Sequence, residues 1–331
     1  IGGTKLMAII DKPSDYFNTL LYTGNGGTLN VTGVGFAPNW VWLKRRDSTG
    51  NHYEFDTVRG ATQRLLPNLT AADAADSNTL SAFGSDGFTV KSEADINASS
   101  GTFVSWNWKE TADAGFDIVA YTGNGSNRTI SHSCGAIPKM IIIKDRDADD
   151  NWNVYTAPTG NDSHMHLNLT NAASGSSSYW NDTTPTSSVF SLGSNSAVNA
   201  NGNNFIAYCF AEKQGYSKIG SYTGNGNANG TFVYTGFKPA MVIIKQSSGA
   251  DNWVIYDNKR DGFNGDTHAL FPNNSDGQTT DVDIDLVSNG FKIVRASGRV
   301  NASGETHIYM AFAENPFVTS TGNNSIPGTA R

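Results

Sequence analysis

Apolar side chains recur along this chain in short runs with the spacing of β-strands. Residues 103–108 alternate apolar and polar side chains, which is typical of a strand that buries one face. Clusters of Gly, Asn, Ser and Thr interrupt the pattern about every 8–12 residues, as in proteins made of many short strands. Residues 70–75, which are rich in alanine, are the best candidate for a short helix.

The sequence repeats itself three times. The five residues Tyr-Thr-Gly-Asn-Gly begin at Tyr22, Tyr121 and Tyr222, and each copy is followed by an apolar run ending in lysine and by a closing asparagine and glutamate. These recurring residues are Lys44, Lys144 and Lys245; Asn97, Asn199 and Asn301; and Glu110, Glu212 and Glu314. Self-similarity of this length indicates tandem structural units.

The repeat sets the expected domain organisation. The predicted segments are a lead-in over 1–15, repeats over 16–112, 113–214 and 215–317, and a polar tail over 318–331. We predict an all-β fold of three tandem antiparallel β-sandwiches of the jelly-roll type. A propeller would need shorter repeats of about 40–50 residues. Because the chain begins with Ile1 rather than Met, we expect a further segment upstream.

Composition and charge narrow the range of partners. The 331 residues carry 23 Lys and Arg against 30 Asp and Glu, a net charge of −7. This balance argues against nucleic acid as the main partner, because phosphate binding requires a basic face. No apolar stretch approaches the ~20 residues of a membrane-spanning helix, so we expect no membrane insertion.

Comparison between the repeats separates scaffold positions from candidate sites. Trp106 corresponds to Tyr208 and Met310, and a position that exchanges Trp for Met behaves as core rather than as a carbohydrate platform. The recurring lysines and glutamates are interpreted as scaffold, since a catalytic group is usually needed only once. We expect each lysine to pair with the glutamate of its own repeat at a sheet edge.

One acidic run is a candidate calcium site. Asp145, Asp147 and Asp149 form a D-x-D-x-D pattern, but Asp150 stands where a calcium loop has glycine and Thr156 where it has glutamate. A solvated acidic hairpin is the preferred interpretation. We predict no cofactor, with Ca²⁺ as the alternative.

Two pairs of residues leave their chemistry open. His164 and His166 share one strand face and could bind a metal, although two solvated side chains are favoured because no third ligand is evident. Cys134 and Cys209 lie in the same repeat, where they are either one disulfide or two buried thiols.

The candidate ligand-binding residues lie in a loop of repeat 2. Tyr179, Trp180 and Asp182 stand in a stretch rich in Ser, Gly and Thr that has no clear counterpart in the other repeats. An aromatic pair beside Asn and Asp in a loop suits sugar stacking and hydroxyl recognition. Packing against a neighbouring domain or subunit is the alternative. The chain lacks the nucleophile-elbow, phosphate-loop and zinc-helix motifs, and we predict that it is not an enzyme.

Several longer strings identify a related family. They are the three Tyr-Thr-Gly-Asn-Gly motifs and residues 36–44, 55–62, 106–109, 206–213 and 311–317. With these strings, the chain resembles an uncharacterised repeat family of virion proteins from marine bacteriophages, including tail-fibre-like proteins. The resemblance implies a surface-exposed, β-rich virion component. That family has no established catalytic or ligand residues, so it assigns none here.

The expected function follows from this resemblance together with the low charge. We expect a non-enzymatic bacteriophage structural protein on the virion surface, a tail fibre or appendage that contacts other virion proteins and recognises host-surface polysaccharide. The alternatives are a capsid decoration protein without receptor binding, a phage polysaccharide depolymerase, and a cellular adhesin or lectin. We expect a homotrimer, or else a single chain whose three repeats imitate a trimer at a threefold site.

Overall fold

The fold is built almost entirely from β-strands. The structure is a computed structural model that describes residues 9–260, 264 and 268–320, so most of the predicted lead-in and tail lies outside the described residues. Strands account for 42% of the chain and helices for 6%, in several antiparallel sheets, which confirms the all-β sandwich prediction. Within the described ranges, no helix is long and apolar enough to cross a bilayer.

In each repeat, short strands are followed by a one-turn helix and a long last strand, and repeat 2 has one further short helix. Repeat 1 contains β1 (Phe17–Thr23), β2 (Leu29–Thr32), β3 (Trp40–Arg45), β4 (Tyr53–Asp56), β5 (Gln63–Arg64), β6 (Ala74–Ala75), β7 (Leu80–Gly84), β8 (Gly87–Val90), α1 (Ala94–Asn97) and β9 (Thr102–Trp108). Repeat 2 contains β10 (Phe116–Thr122), β11 (Arg128–Ser131), β12 (Pro138–Asp145), β13 (Asn153–Thr156), β14 (Ser163–His166), β15 (Ser174–Gly175), α2 (Ser177–Trp180), β16 (Val189–Leu192), α3 (Ser196–Asn199) and β17 (Asn204–Ala211). Repeat 3 contains β18 (Ser217–Thr223), β19 (Phe232–Tyr234), β20 (Phe237–Gln246), β21 (Val254–Asp257), β22 (Ile284–Val287), β23 (Gly290–Ile293), α4 (Gly298–Asn301) and β24 (Thr306–Pro316).

Each repeat folds into a larger and a smaller antiparallel sheet. In the larger sheet the first strand of the repeat pairs with the last, giving the orders β1-β9-β3-β4, β10-β17-β12-β13-β14-β15 and β18-β24-β20-β21. The smaller sheets have the orders β2-β8-β7, β11-β16 and β19-β23-β22. Between its two sheets, every repeat encloses a hydrophobic core of its own.

The larger sheets are buried on both faces. In β3, Leu43 faces the core of repeat 1, whereas Trp42 faces a further core to which all three repeats contribute. Residues 103–108 are all buried for the same reason. The prediction that this segment buries one face was wrong, because its second face packs against the neighbouring repeats instead of water.

Equivalent aromatic side chains from the three repeats meet in this shared core. The ring of Phe312 lies 5.6 Å from that of Trp108 and 5.9 Å from that of Phe210, measured between centroids. Trp40 and Trp106 are fully buried in the same cluster, which confirms that these tryptophans are core residues. The repeats are therefore not independent domains, since removing one would expose the inner faces of the other two.

Hydrogen bonds between the repeats close them into a ring. At one equivalent position of each repeat, a ring nitrogen bonds to a backbone carbonyl of a neighbouring repeat. The three bonds join Trp152 to Leu66 (3.2 Å), Trp253 to His166 (2.8 Å) and His52 to Phe271 (2.9 Å). They link repeat 2 to 1, repeat 3 to 2 and repeat 1 to 3, so the same head-to-tail contact closes after three copies.

Residues 70–75 form no helix. Ala74–Ala75 is the edge strand β6, and the backbone N–H of Asp73 donates to the carbonyl of Arg146 in repeat 2 (2.9 Å). Equivalent bonds run from Ala173 to Ser247 and from Gln278 to Arg46. The helix prediction was wrong because this segment lies extended against the next repeat and makes its backbone hydrogen bonds there.

Candidate functional site

The recurring asparagine holds the Tyr-Thr-Gly-Asn-Gly turn. In repeat 2, the side-chain oxygen of Asn199 accepts from the backbone N–H of Asn124 (3.0 Å), while its amide donates to the carbonyls of Ser126 (2.7 Å) and Gly193 (2.9 Å). Asn97 and Asn301 make the equivalent bonds in their repeats. The buried asparagine side chain thus gives hydrogen bonds to backbone groups of the turn that strand pairing leaves without partners.

The rest of the motif is also structural. The hydroxyl of Tyr121 donates to the carbonyl of Val198 (2.7 Å), and Tyr22 and Tyr222 make matching bonds. A Cβ on Gly123 would lie 2.1 Å from the carbonyl oxygen of Ala200, so only glycine allows the turn to approach this closely. The motif with the strongest signal in the sequence therefore serves the fold.

The recurring lysines do not pair with the recurring glutamates. The Lys144 amine donates to the backbone carbonyls of Asp145 (2.7 Å) and Ala148 (2.9 Å), and Lys44 and Lys245 also bond to carbonyls. All three side chains are fully buried, and burial lowers the pKa of each amine to about 8. The predicted lysine–glutamate pairs were wrong, because the two residues lie at opposite ends of the sheet.

The glutamates instead bind the chain where one repeat passes into the next. Glu110 accepts from the backbone N–H of Ile118 (3.1 Å), and Glu212 accepts from that of Ile219 (2.8 Å). Burial raises the pKa of Glu110 to about 7. In repeat 3, Glu314 forms an ion pair with Lys238 (2.9 Å). These contacts make the glutamates scaffold residues, although not in the way the sequence predicted.

Buried ion pairs also lie near the boundaries between repeats. Asp56 pairs with Arg59 (2.5 Å), and Asp257 pairs with Arg260 (2.6 Å) at the equivalent position of repeat 3; all four side chains are buried. Each carboxylate accepts a further hydrogen bond from a neighbouring repeat. The donors are the Tyr208 hydroxyl to Asp56 (2.8 Å) and the Trp106 indole to Asp257 (3.0 Å).

The ion pair and its donor from the next repeat are both replaced at the contact between repeats 2 and 3. Thr156 and Thr159 replace the ion pair in repeat 2, with their hydroxyls 2.9 Å apart. Met310, which has no donor, occupies the position of Trp106 and Tyr208 in repeat 3. At this position of the three repeats, the carboxylate is thus present where a side-chain donor from the next repeat also satisfies it and is replaced where that donor is missing.

Carboxylates of the acidic run in repeat 2 accept hydrogen bonds from backbone N–H groups of repeats 1 and 2. Asp145 is buried and accepts from the N–H groups of Asp147 (2.9 Å) and Ala148 (3.1 Å), and Asp149 accepts from that of Ala72 in repeat 1 (2.9 Å). The part of the chain that the structure describes holds no group of three or more His, Cys, Asp or Glu side chains arranged for a metal ion. The hairpin is not simply solvated, since Asp145 caps the turn from inside.

The two cysteines are buried free thiols. The thiol of Cys134 donates to the carbonyl of Cys209 (3.5 Å), and the backbone N–H of Cys134 donates to Nδ1 of His132 (3.3 Å). A hydrogen bond from the Cys209 thiol lowers the pKa of Cys134 to about 7. The structure therefore agrees with two buried thiols and not with a disulfide.

Trp180 does not present a stacking surface. Its indole is only 1% exposed, its Nε1 donates to the carbonyl of Ser163 (2.9 Å), and its ring lies edge-on to Tyr155 at 5.8 Å. The expectation that this ring stacks on a sugar was wrong, because the short helix α2 turns it into the core of repeat 2.

The other two predicted ligand residues lie nearer the surface. Tyr179 stacks on His164, with centroids 3.7 Å apart and planes 11° apart, and His166 lies 5.1 Å from His164. Burial, assisted by the charge of His166, lowers the pKa of His164 to about 4, so this imidazole is neutral near neutral pH. Asp182 is exposed beyond the helix. One face of the Tyr179 ring is thus already occupied by an imidazole.

An exposed aromatic pair, which the sequence analysis missed, lies on the edge strand β19. Phe232 is 46% exposed and Tyr234 is 58% exposed, whereas Val233 between them points into the core of repeat 3. We call Phe232 and Tyr234 the aromatic patch. Large apolar side chains with this exposure are more informative when paired than when scattered singly.

A cavity of about 280 Å³ opens beside the aromatic patch. Its lining includes Tyr234, the exposed Val318, and polar side chains from the segment that joins repeats 2 and 3. These polar side chains are Glu212, Lys213, Gln214, Ser217 and Lys218. Glu212 and Lys218 lie 3.8 Å apart, so a carboxylate and an amine stand together at the cavity.

The aromatic patch is specific to repeat 3. The equivalent positions hold Asn30 and Thr32 in repeat 1, and Thr129 and Ser131 in repeat 2. The same comparison that identified the scaffold could have found the patch, because it marks the positions where one repeat departs from the other two.

Comparison with known proteins assigns a family but no activity. A family model described as a domain of unknown function, DUF7483, matches residues 12–316. The chain belongs to this family. Its match spans all three repeats, so the closed ring described above lies within a single DUF7483 unit. No curated protein matches the sequence.

Proposed function

We propose that the chain is a non-enzymatic structural protein of a bacteriophage virion, exposed on the particle as a tail fibre or appendage that recognises a host-surface polysaccharide. The observation that carries this proposal is the closed ring of three equivalent sandwiches with a shared core. The resemblance of its motifs to phage virion proteins supports the location.

The ring suits a particle surface for a physical reason. Both faces of each larger sheet are buried, and the same hydrogen bond joins each repeat to the next. Such a unit is rigid and has approximate threefold symmetry within one chain. One copy can therefore occupy a threefold position that would otherwise need a homotrimer, and we propose the monomer as the functional unit in place of a trimer.

The use of the recurring polar side chains supports a structural rather than a catalytic role. The lysines bind carbonyls, the asparagines hold turns and the glutamates bind the next repeat. A polysaccharide depolymerase would need two carboxylates facing one glycosidic bond. The glutamates that recur in every repeat are engaged in backbone hydrogen bonds or an ion pair instead.

The location is tested on purified particles of the phage that encodes the chain. We expect mass spectrometry to detect the protein in gradient-purified virions and immunogold labelling to place it on their surface. Particles from a phage deleted for the gene serve as the control and should lose the label. Absence of the protein from wild-type particles would end the proposal.

The threefold character of the ring also favours a second function, that of a capsid decoration protein. In that case the label would cover the head at regular positions, and the deletion would leave adsorption to host cells unchanged. A tail fibre or appendage would instead be labelled at the tail, and its deletion would reduce adsorption.

A further inference from the structure

We propose that the aromatic patch and its cavity bind a pyranose unit of an oligosaccharide. This inference rests on the proposed function in host-surface recognition and gives that function a place and a ligand class. Phe232 and Tyr234 would stack on the apolar faces of sugar rings, while the polar side chains of the cavity bond to sugar hydroxyls.

The strand geometry directs both rings to solvent. Phe232 and Tyr234 are two residues apart on β19, so they share one face, and their Cα atoms are about 6.6 Å apart at a strand rise of 3.3 Å per residue. β19 is an edge strand that pairs only with β23 in its sheet. The aromatic face is therefore open along a free edge of the sandwich.

The neighbouring strand supports the rings. Tyr234 pairs in register with Gly290, and Phe232 pairs with Lys292. A Cβ on Gly290 would lie 3.2 Å from Cε2 of Phe232, so the bare backbone leaves room for the ring to lie close to the sheet. Lys292 bonds to the carbonyl of Gly230 rather than to a group near the cavity. The Phe232 ring thus lies against the sheet, which lowers the entropic cost of binding at that ring.

The cavity supplies the polar groups that sugar recognition requires. The Glu212 carboxylate, whose Oε1 also accepts from the backbone N–H of Ile219, can accept from hydroxyls through its other oxygen. The Lys218 amine can donate to hydroxyls, and the exposed Gln214 side chain can do both. The mixed charge favours a neutral, hydroxyl-rich ligand over a strongly charged one. A cavity of about 280 Å³ lies just below the usual range for small-ligand sites, roughly 300–1,000 Å³, and suits one sugar unit better than a folded partner.

A protein partner fits these dimensions less well. A standard protein interface buries about 800 Å² on each partner. The exposed large apolar side chains at this place are Phe232, Tyr234, Phe317 and Val318, next to a cavity whose lining includes several polar side chains. The other two repeats carry polar residues at the equivalent strand positions, so the patch is not a general requirement of the sandwich.

The test converts the patch into the residues that repeat 1 uses at the same positions. The variant carries Phe232→Asn together with Tyr234→Thr, and the control variant carries Thr129→Ala together with Ser131→Ala on the equivalent strand of repeat 2. Because all four side chains are solvent-facing, both variants should fold, and their melting temperatures confirm this. Wild type and variants are applied to an array of neutral hexose, N-acetylhexosamine and uronic acid oligosaccharides, and hits are titrated by calorimetry.

We expect saturable binding of the wild type to at least one neutral oligosaccharide, at least tenfold weaker binding of the patch variant, and unchanged binding of the control. No binding by the wild type, or equal binding by the patch variant, would overturn the inference. A wild-type dimer in sedimentation that the patch variant abolishes would also overturn it and assign the patch to a second copy of the chain. The location of the protein on virions is measured separately, so it can hold when the glycan site fails.

Discussion

The hydroxyl of Tyr208 in repeat 2 donates a hydrogen bond to the buried carboxylate of Asp56 in repeat 1, over 2.8 Å. Arg59 completes the charge balance of that carboxylate from within repeat 1. The bond joins two sandwiches at a point where neither residue contacts water. It shows that the polar groups of one repeat are satisfied by the next, so the ring rather than the single repeat is the unit of stability.

Tyr208→Phe should therefore destabilise the whole chain. The substitution removes one hydrogen bond to a buried charged group, which is worth about 1.5–3 kcal/mol in the free energy of unfolding. Urea denaturation of wild type and variant measures the difference. Met310→Leu, at the equivalent position without a donor, is the matched control and should cost less than about 1.5 kcal/mol. Equal costs for the two variants would show that the bond contributes nothing.

The ion pair of Asp257 and Arg260 should respond more to loss of one partner than to loss of both. Arg260→Thr leaves a buried carboxylate without its cation and should cost about 3–5 kcal/mol. Adding Asp257→Thr reproduces the Thr156–Thr159 arrangement of repeat 2 and should restore part of that stability. Chemical denaturation measures the unfolding free energies of the single and double variants. A double variant less stable than the Arg260→Thr variant would contradict this account of the pair.

The three buried lysines should make stability rise with pH above neutrality. Their pKa is about 8 in the folded chain and 10.5 in the unfolded one, so the unfolded state binds more protons between those values. The penalty for burying the charge is complete below about pH 8 and vanishes towards pH 10.5. Each lysine can contribute up to about 1.4 kcal/mol per pH unit in this window.

The Lys245→Met variant measures how much one of these lysines contributes to the pH dependence of the unfolding free energy. The variant should show a smaller increase in unfolding free energy between pH 8 and 9.5 than the wild type does. Keeping the range below pH 10 limits the opposing contribution of the buried tyrosines, whose pKa is raised. Identical pH profiles for wild type and variant would show that folding does not lower the pKa of Lys245.

Trp180→Ala should act on stability rather than selectively on binding. Removing a buried indole from the core of repeat 2 leaves a cavity and should cost about 3–5 kcal/mol. Asp182→Asn is the control from the same loop, and its exposed side chain should change stability by less than about 0.5 kcal/mol. Thermal and urea unfolding measure both variants. A Trp180→Ala variant as stable as wild type would mean that the indole lies outside the core.

The architecture within one repeat could be predicted largely from the sequence. Alternation, turn residues and the threefold repeat indicated antiparallel sandwiches, and the exchange of Trp106 for Tyr208 and Met310 indicated core. The shared core could not be predicted in the same way. A strand with two buried faces and one with a single buried face differ only in what lies beyond the sheet, and local periodicity does not record that.

The candidate site was harder to predict than the fold. Trp180 lies in a segment whose Ser, Gly and Thr content is typical of a binding loop, but a helix of one turn directs its indole into the core of repeat 2. Lys144 and Glu212 recur together in sequence, yet antiparallel pairing places them at opposite ends of the sheet. Residues Phe232 to Tyr234 have the sequence of an ordinary strand. The two aromatic side chains stand out only because the equivalent positions of the other repeats hold polar residues.

Differential scanning calorimetry of the intact chain tests the closed ring most directly. If the three repeats share a core and satisfy one another's polar groups, they unfold together, in a single transition with a ratio of calorimetric to van't Hoff enthalpy of about one. Three separable transitions, or one broad transition with a ratio of about three, would mean that the repeats are independent sandwiches and would contradict the account.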